Sequence, residues 1–479
     1  MKLSELLKNV DVISQYTDVE VSDVTDDTQK LQKGMLFVCL KGARFDGHTA
    51  AEAMLEKGAV AVVCERSLGL KQEIVVKSTR EAYAVICANY FGNPAEKLKL
   101  IGLTGTNGKT SSTYFIKSLF ELFDIKMGLI GTVQNMIGNE VYAAQYTTPL
   151  PYELQKLFYD MVQAGCRYCV MEVSSQALVQ GRVDGLHFHT AIFTNLTQDH
   201  LDFHGTMENY AAAKKILLQN CDKAIVNIDD PHTPYMVEGL TCPIITYSAK
   251  DNNADFVAKN IVLTARGVMY ELLGDSVIAR LKCPVPGSFT VYNTLCAAAT
   301  AVSEGLDFRK VVSAFSSVKG IKGRIEVVPT NTDYTVIIDY AHSPDGIKNI
   351  LRSVKEFAEG RVIIVFGCGG DRDASKRPKM ADAAASCADY VILTSDNPRT
   401  EVPEKIIADA AVGLKGHNVP QTIIVNRTQA IRFAMSEAKA GDVIVLAGKG
   451  HETYQIVGKT KNHYDEREIV QGILSGEIQ

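Results

Sequence analysis

The stretch GLTGTNGKTSS, residues 102–112, decides how the middle of this chain folds. An apolar strand pattern, LKLIGLTG at 98–105, runs straight into it. A helical pattern follows, with apolar positions at Phe115, Ile116, Leu119, Phe120 and Phe123. Strand, glycine loop and helix together form the local frame of a phosphate-binding loop. The common pattern G-x-x-x-x-G-K-[ST] fails at one place, because Leu103 stands where its first glycine belongs. The working parts remain. Gly105 and Gly108 let backbone N–H groups approach phosphate oxygens, and the helix N-terminus adds partial positive charge. Lys109 is placed to reach the β- and γ-phosphates, and the Thr110 hydroxyl to hold magnesium. A phosphate loop of altered shape is therefore expected; the alternative is a tight glycine turn with an exposed lysine.

Working outward, TTPLPYELQKLFYDMVQAG carries a helix start at Thr148-Pro149, an apolar face at Leu154, Leu157, Phe158, Met161 and Val162, and a stop at Gly165. The strand CVMEV follows. Its Glu172 is placed to serve magnesium beside a phosphate loop, and the polar EVSSQAL after it is expected to face a cleft. TAIFTNL and KAIVNID read as further strands. FTNLTQDHLDFHG packs Asp199, His200, Asp202 and His204 together, which fits metal binding or helix capping equally. His-x-x-x-His spacing would put both imidazoles on one helix face, though without the context of a zinc site. Lys214 follows three alanines in a helical pattern, and by itself reads as a surface lysine.

Before residue 97, GMLFVCLKG and AVAVVCE read as strands with the helix TAAEAMLEKG between them. From about residue 330 the strands YTVIIDY, RVIIVFG, YVILTSD, TIIVN and DVIVLAG alternate with helices, which implies a mostly parallel sheet covered on both faces. GCGGDRD, SDNPRTE and GKGHETY each follow one of these strands. Ligands bind at the carboxyl ends of strands in such sheets, so the three loops are expected to gather on one edge. GCGGDRD is not a dinucleotide fingerprint, because Arg372 occupies the place of its last glycine. Arg372 and Arg399 are instead two guanidinium forks suited to carboxylates, or surface partners of Asp371, Asp373 and Glu401.

At 479 residues the chain is long enough for two to four domains. The net charge of −5 argues against a general nucleic-acid binder. The 11 cysteines sit mostly in apolar runs, as buried thiols of a reducing compartment do. Cys166 and Cys169 have C-x-x-C spacing but lie in what reads as a buried strand. No apolar run reaches the ~18 residues of a membrane span, so a cytoplasmic protein without membrane insertion is expected.

In this order, TGTNGKT, TTP, MEVSSQAL, FTNLTQDHLDFHG, GRIEVV, DYAHSPDG, GCGGDRD, DNPR and GKGHE resemble the Mur ligases, the ATP-dependent amide ligases of bacterial peptidoglycan synthesis. The likeness covers nearly the whole chain. It implies an α/β protein of three domains: a uridine-nucleotide domain at 1–97, a phosphate-loop ATPase with a mainly parallel sheet at 98–329, and a Rossmann-like amino-acid domain at 330–479. It implies ATP as co-substrate, two magnesium ions, small-molecule substrates only, and a monomer.

Residue by residue, the resemblance puts Gly105, Thr106, Asn107, Gly108, Lys109, Thr110, Ser111, Asn293, Arg324, Asp339 and His342 at ATP. It puts Thr28, Thr147, Thr148, Ser174, Gln180 and Arg182 at a UDP-muramoyl-peptide. Arg372, Asp396, Asn397, Arg399, Gly448 and Glu452 fall at the incoming amino acid. Glu172, His200 and Lys214, the last as a carbamate, join Thr110 as magnesium ligands. Lys109, Lys214, Glu172 and His200 become the catalytic set, with His204 a weak candidate for a general base. Within the family DNPR marks the meso-diaminopimelate-adding type, whose second carboxylate would suit Arg399 and Arg372 and whose second ammonium would suit Glu452. One departure stands out: Asp27-Thr28-Gln29 replaces the family's Asp-Ser-Arg, which keeps a hydroxyl and loses a charge.

The implied reaction makes an acyl phosphate of the D-glutamate γ-carboxylate, which the amine then attacks. It also implies that the third domain closes onto the second after ATP binds. The alternatives are lysine addition, folylpolyglutamate-type ligation, a nucleotide-dependent switch or binding protein, and a kinase.

Overall fold

A computed structural model describes residues 1–42, 45–318 and 320–478. Two compact units emerge, one formed by 1–257 with 295–306 and the other by 258–294 with the chain from 307 onward.

The first unit holds two sheets. Val24–Thr25, Leu36–Val38, Ala61–Cys64 and Glu73–Val75 form a small parallel sheet in chain order. The larger sheet runs Ile244–Ser248, Ala224–Asn227, Thr190–Phe193, Lys99–Thr104, Tyr168–Glu172, Met127–Ile130, all parallel. Antiparallel Gln134–Ile137 and Glu140–Ala143 extend it. From Lys99–Thr104 the chain first builds strands to one side and then to the other. That strand therefore lies at the topological switch point, where open α/β sheets bind ligands. The register pairs Leu103 with Glu172 and Thr104 with Phe193, so the acid and the FTNLTQ segment emerge beside the glycine loop.

The second unit contains a six-stranded sheet in the order Glu326–Val328, Thr335–Asp339, Val443–Ala447, Val362–Cys368, Tyr390–Ser395, Gln421–Ile423, with only the first strand antiparallel. Its four central strands are apolar on both faces, as buried parallel strands must be. Ile337, Ile364, Phe366, Leu393 and Val445 pack under the helices Pro344–Lys355, Lys376–Cys387 and Pro403–Ala411. Their neighbours Val336, Ile338, Ile363, Val365, Ile392 and Ile444 pack under Arg427–Glu437 and Glu466–Ser475. Each set belongs to one face because side chains alternate along a strand. Asp339, Ala447 and Phe366 align in register, as do Cys368 and Ser395, so all four strands end at one edge.

Several local expectations change. The helix expected from Thr148-Pro149 begins at Pro151, with Leu150 extended at ψ 158°. Leu150 precedes a proline and is barred from the helical region, so Pro151, not Pro149, is the first helical residue. Gly165 at φ +80° ends it as expected. His200 and His204 do not share a helix face: His200 caps Leu201–His204 in the left-handed region, exposed, while His204 is buried. The segment TIIVN is strand only to Ile423, since Asn426 is recruited as a helix cap. Ser175, Ala177 and Leu178 turn into the core, so only part of EVSSQAL faces outward. All eleven cysteines are free thiols, and Cys166 and Cys169 are buried.

Candidate active site

Gly105 lies at φ +148°, and a Cβ there would come within 1.9 Å of the Thr194 hydroxyl, so the loop requires glycine. The loop is fastened to the FTNLTQ segment. Thr106 N–H donates to Asn195 O at 2.8 Å, Asn107 N–H donates to the Asn195 side chain at 2.9 Å, and the Thr194 hydroxyl donates to Asn107 O at 2.7 Å. Gly108 caps the helix Lys109–Leu122, whose first turn carries Thr110 and Ser111.

Lys109 Nζ donates to Gly105 O at 2.8 Å and Thr106 O at 2.9 Å, folding over its own loop rather than into solvent. Burial pulls its pKa below the ordinary lysine value, against the opposing pull of Glu172. Glu172 is fully buried and accepts from the Thr110 hydroxyl at 3.0 Å, Thr132 N–H at 2.9 Å and the Thr132 hydroxyl at 3.0 Å. Among the described residues no lysine, arginine or histidine forms an ion pair with it within 4.0 Å. A buried carboxylate that lacks a cation and touches a hydroxyl fits a hard divalent ion. Thr132 gave no motif signal; only the fold shows its role.

Lys214 is not the surface lysine its alanine-rich surroundings suggest. It is 1% exposed, and its Nζ donates to Gly105 O at 2.8 Å, the carbonyl that Lys109 also uses. Burial first, and then the Lys109 ammonium, push the Lys214 amine well below the lysine range. His200 faces Asp199 at 3.5 Å and lies edge-on to Tyr210, and is hydrogen-bonded to neither Glu172 nor Lys214. Among the described residues no three His, Cys, Asp or Glu side chains gather closely enough to hold an ion. His204 Nε2 lies 2.9 Å from the Ser175 hydroxyl, and burial lowers its pKa.

Beside Glu172 a second network brings together five of the six residues expected at the muramoyl-peptide. The Thr148 hydroxyl donates to Glu172 O at 2.9 Å and accepts from Ser174 N–H at 3.1 Å. Thr147 meets Thr132 at 3.0 Å. Arg182 donates to Thr148 O at 2.8 Å and to Gln180 Oε1 at 2.7 Å, and lies over the Tyr146 ring. Its bonds all go to neutral oxygens, which leaves its charge available to an anion. Thr28 is bonded to none of these five; it sits half-buried in the turn 28–30, where Gln29 is exposed.

In the second unit, Arg372, Asp396, Asn397, Arg399, Gly448 and Glu452 all line one cavity of about 510 Å³. The loops after Cys368, Ser395 and Ala447 do gather there. Gly448 lies at φ +114° with no room for a Cβ, which would meet Asp396 Oδ2 at 2.6 Å. The alternative of surface salt bridges fails for both arginines. Arg377 takes Glu401 and Asp409, while Arg399 Nη1 donates to Gly370 O at 2.8 Å. Neither Arg372 nor Arg399 forms an ion pair among the described residues. Opposite them Glu452 Oε2 accepts from Asn397 Nδ2 at 2.9 Å. Tyr340 and Tyr454, which lie in DYAHSPDG and GKGHETY but carry no role in the sequence reading, also line the cavity, and so does His342, expected at ATP. Asp339 accepts from Ile325 N–H at 2.9 Å and Ala341 N–H at 2.8 Å, and burial raises its pKa. Arg324 stacks on Tyr340 with its Nε buried and unbonded, next to Ile325 at φ +45°, a strained value for a β-branched residue. Asn293 lies on the helix Ser288–Ser303.

Comparison with known proteins agrees with this arrangement. Residues 20–91 match the Mur ligase family catalytic domain, 103–301 the Mur ligase middle domain, and 323–450 the Mur ligase glutamate ligase domain. The chain is 45% identical to UDP-N-acetylmuramoyl-L-alanyl-D-glutamate--2,6-diaminopimelate ligase 1 of Clostridium acetobutylicum, over 99% of each chain. It is 46% identical to the enzyme so named in Caldanaerobacter subterraneus subsp. tengcongensis, again over 99% of each. A solved structure of a ligase with that name superposes with a TM-score of 0.76 at 32% identity, covering 100% of this chain and 99% of the other. With the glycine loop, the buried acid beside it and the arginine-lined cavity already in place, these full-length matches establish that the chain belongs to the Mur ligase family and has its three-domain α/β fold.

Proposed function

We propose that this chain joins meso-diaminopimelate to the D-glutamate of UDP-N-acetylmuramoyl-L-alanyl-D-glutamate, consuming ATP, as a cytoplasmic monomer in peptidoglycan synthesis. Residues 1–97, 98–329 and 330–479 serve the uridine nucleotide, ATP and the amino acid in turn. The observation that carries the choice of amino acid is the cavity of the second unit. It presents two guanidinium groups without carboxylate partners, Arg372 and Arg399, and three carboxylates on its walls, Asp373, Asp396 and Glu452. Diaminopimelate has a second carboxylate and a second ammonium, and so satisfies both signs of charge. L-Lysine lacks the second carboxylate and would leave the half-buried Arg399 and the exposed Arg372 without an anionic partner, a loss that favours diaminopimelate.

A carboxylate resists amines because its carbonyl carbon is electron-rich and oxide is a poor leaving group. One γ-carboxylate oxygen of D-glutamate attacks the γ-phosphorus of ATP; ADP leaves and an acyl phosphate forms. The diaminopimelate amine then attacks the acyl carbon, phosphate leaves with that oxygen, and the amine gives up a proton. Lys109 and the loop N–H groups offset charge on the phosphates, so positioning and electrostatics supply most of the rate. Arg182, Thr148 and Ser174 orient the muramoyl-peptide. Glu172 and Thr110 would hold a magnesium ion, which neutralises phosphate charge when bound. A second ion requires an anionic ligand at Lys214. The depressed Lys214 amine is the form that adds carbon dioxide, RNH2 + CO2 giving RNHCOO⁻ and H⁺.

The test is phosphate release by purified enzyme with ATP, magnesium, the muramoyl-dipeptide and one acceptor at a time. Diaminopimelate is expected to give kcat/KM at least about a hundredfold above L-lysine or L-glutamate. Equal or greater turnover with lysine would overturn the acceptor. ATP binding without turnover on any acceptor would favour a nucleotide-binding protein.

A further inference from the structure

Lys449 is a fully enclosed charge behind the wall of the amino-acid cavity, in contact with three of its lining residues. It is 0% exposed, and its Nζ lies 3.2 Å from Asn397 Oδ1, 3.4 Å from Asp396 Oδ1 and 3.5 Å from Glu452 Oε2. Its three partners are three of the residues already placed at the amino acid. The hydrogen-bond arithmetic of Asn397 is the informative part. A carboxamide has one accepting end and one donating end, and only its neighbours fix which way it faces. The Oδ1 of Asn397 takes two donors, Lys449 Nζ at 3.2 Å and Ile456 N–H at 2.9 Å. Its NH2 must then face the cavity, where one N–H reaches Glu452 Oε2 at 2.9 Å. The other N–H remains for a ligand.

We infer that Lys449 is a positioning residue that sets the polarity of the amino-acid cavity, holding Asn397 as a donor toward the substrate carboxylate and Glu452 as an acceptor toward the substrate ammonium. This rests on the proposed diaminopimelate ligation. Without an ammonium at that place, a flipped Asn397 would aim its oxygen at Glu452 and at an incoming carboxylate, both repulsive. Lys449 also offsets Asp396 and Glu452, so the cavity accepts a zwitterion without excess negative charge. The side chain touches no reacting atom in this scheme. Its effect should appear in amino-acid affinity and not in phosphoryl transfer.

The test compares Lys449→Met, Asn397→Ala, the double variant and Asn397→Asp with the wild type. Wild-type turnover on diaminopimelate is the control for the ligation itself; without it the ligation fails, whatever the variants do. Given that turnover, Lys449→Met is expected to raise the diaminopimelate KM at least about tenfold, with kcat within about threefold and the ATP KM unchanged. Adding Lys449→Met to Asn397→Ala should raise KM less than it does in the wild type, because the two residues act through one bond. Asn397→Asp keeps an oxygen facing Lys449 but replaces the NH2 donor with a second carboxylate oxygen beside Glu452, so it too should raise the diaminopimelate KM. Should Lys449→Met fold poorly, this variant still decides. An unchanged KM in Asn397→Asp, fully multiplicative effects in the double variant, or a fall in kcat with KM unchanged would each overturn the inference.

Discussion

Replacing Lys214 with alanine is expected to remove ligation almost entirely, a fall of at least about a thousandfold in kcat, with the fold retained. The size follows from where Lys214 sits. Its Nζ shares the Gly105 carbonyl with Lys109, both at 2.8 Å. Burial first, and then the repulsion between two ammonium groups on one carbonyl, push the Lys214 amine well below the lysine range. As a carbamate, in the proposed reading, the same side chain would become an anion, its repulsion with Lys109 would become attraction, and it would serve with Glu172 and Thr110 as an oxygen donor to magnesium. Alanine deletes that anion from a water-poor site where charge acts strongly. Labelling with ¹³C-bicarbonate provides an independent readout. The wild type should show a carbamate carbon resonance that Lys214→Ala lacks. Activity within tenfold of wild type, or no such resonance, would contradict the assignment.

The second large effect concerns stability. Arg427 and Glu466 form an ion pair in which both side chains are 0% exposed, with Nε donating to Oε1 at 2.8 Å. Arg427 Nη2 also donates to Ala447 O at 2.9 Å, and Nη1 lies 3.5 Å from Ser395 O. Those carbonyls belong to the residues just before Gly448 and Asp396. One guanidinium thus ties together the ends of two strands that deliver the cavity. Arg427→Met is expected to destabilise the fold by about 3–5 kcal/mol, because it strands a buried carboxylate. Arg427→Met with Glu466→Gln should lose less than Arg427→Met alone. Thermal and denaturant unfolding of the three proteins measure this, and a double variant less stable than the single would refute it.

The loops were legible in the sequence because glycine, asparagine and aspartate punctuate strand ends in ways that apolar cores do not. Gly105, Gly448, Asn397 and Arg399 each follow a strand whose apolar run is unmistakable. Parallel order and both-face burial in the last sheet could be read from the same runs. What could not be read was burial of single charges. Lys214 reads as a solvated lysine by its neighbours, and only packing from distant segments encloses it. Thr132 was invisible because its bonds to Glu172 depend on strands adjacent in space and forty residues apart in sequence. The helix starts at Pro151 and not at Thr148-Pro149, because Leu150, which precedes a proline, stays extended. The His200 and His204 pair was misplaced because a left-handed residue breaks the helical spacing.

In the proposed ligation ATP converts the D-glutamate carboxylate into a mixed anhydride, which diaminopimelate opens. The most direct measurement places ¹⁸O in both oxygens of that γ-carboxylate and follows the label through one turnover with ATP, magnesium and diaminopimelate. One ¹⁸O is expected in the released inorganic phosphate and one in the new amide carbonyl. Amide product with unlabelled phosphate would contradict this mechanism.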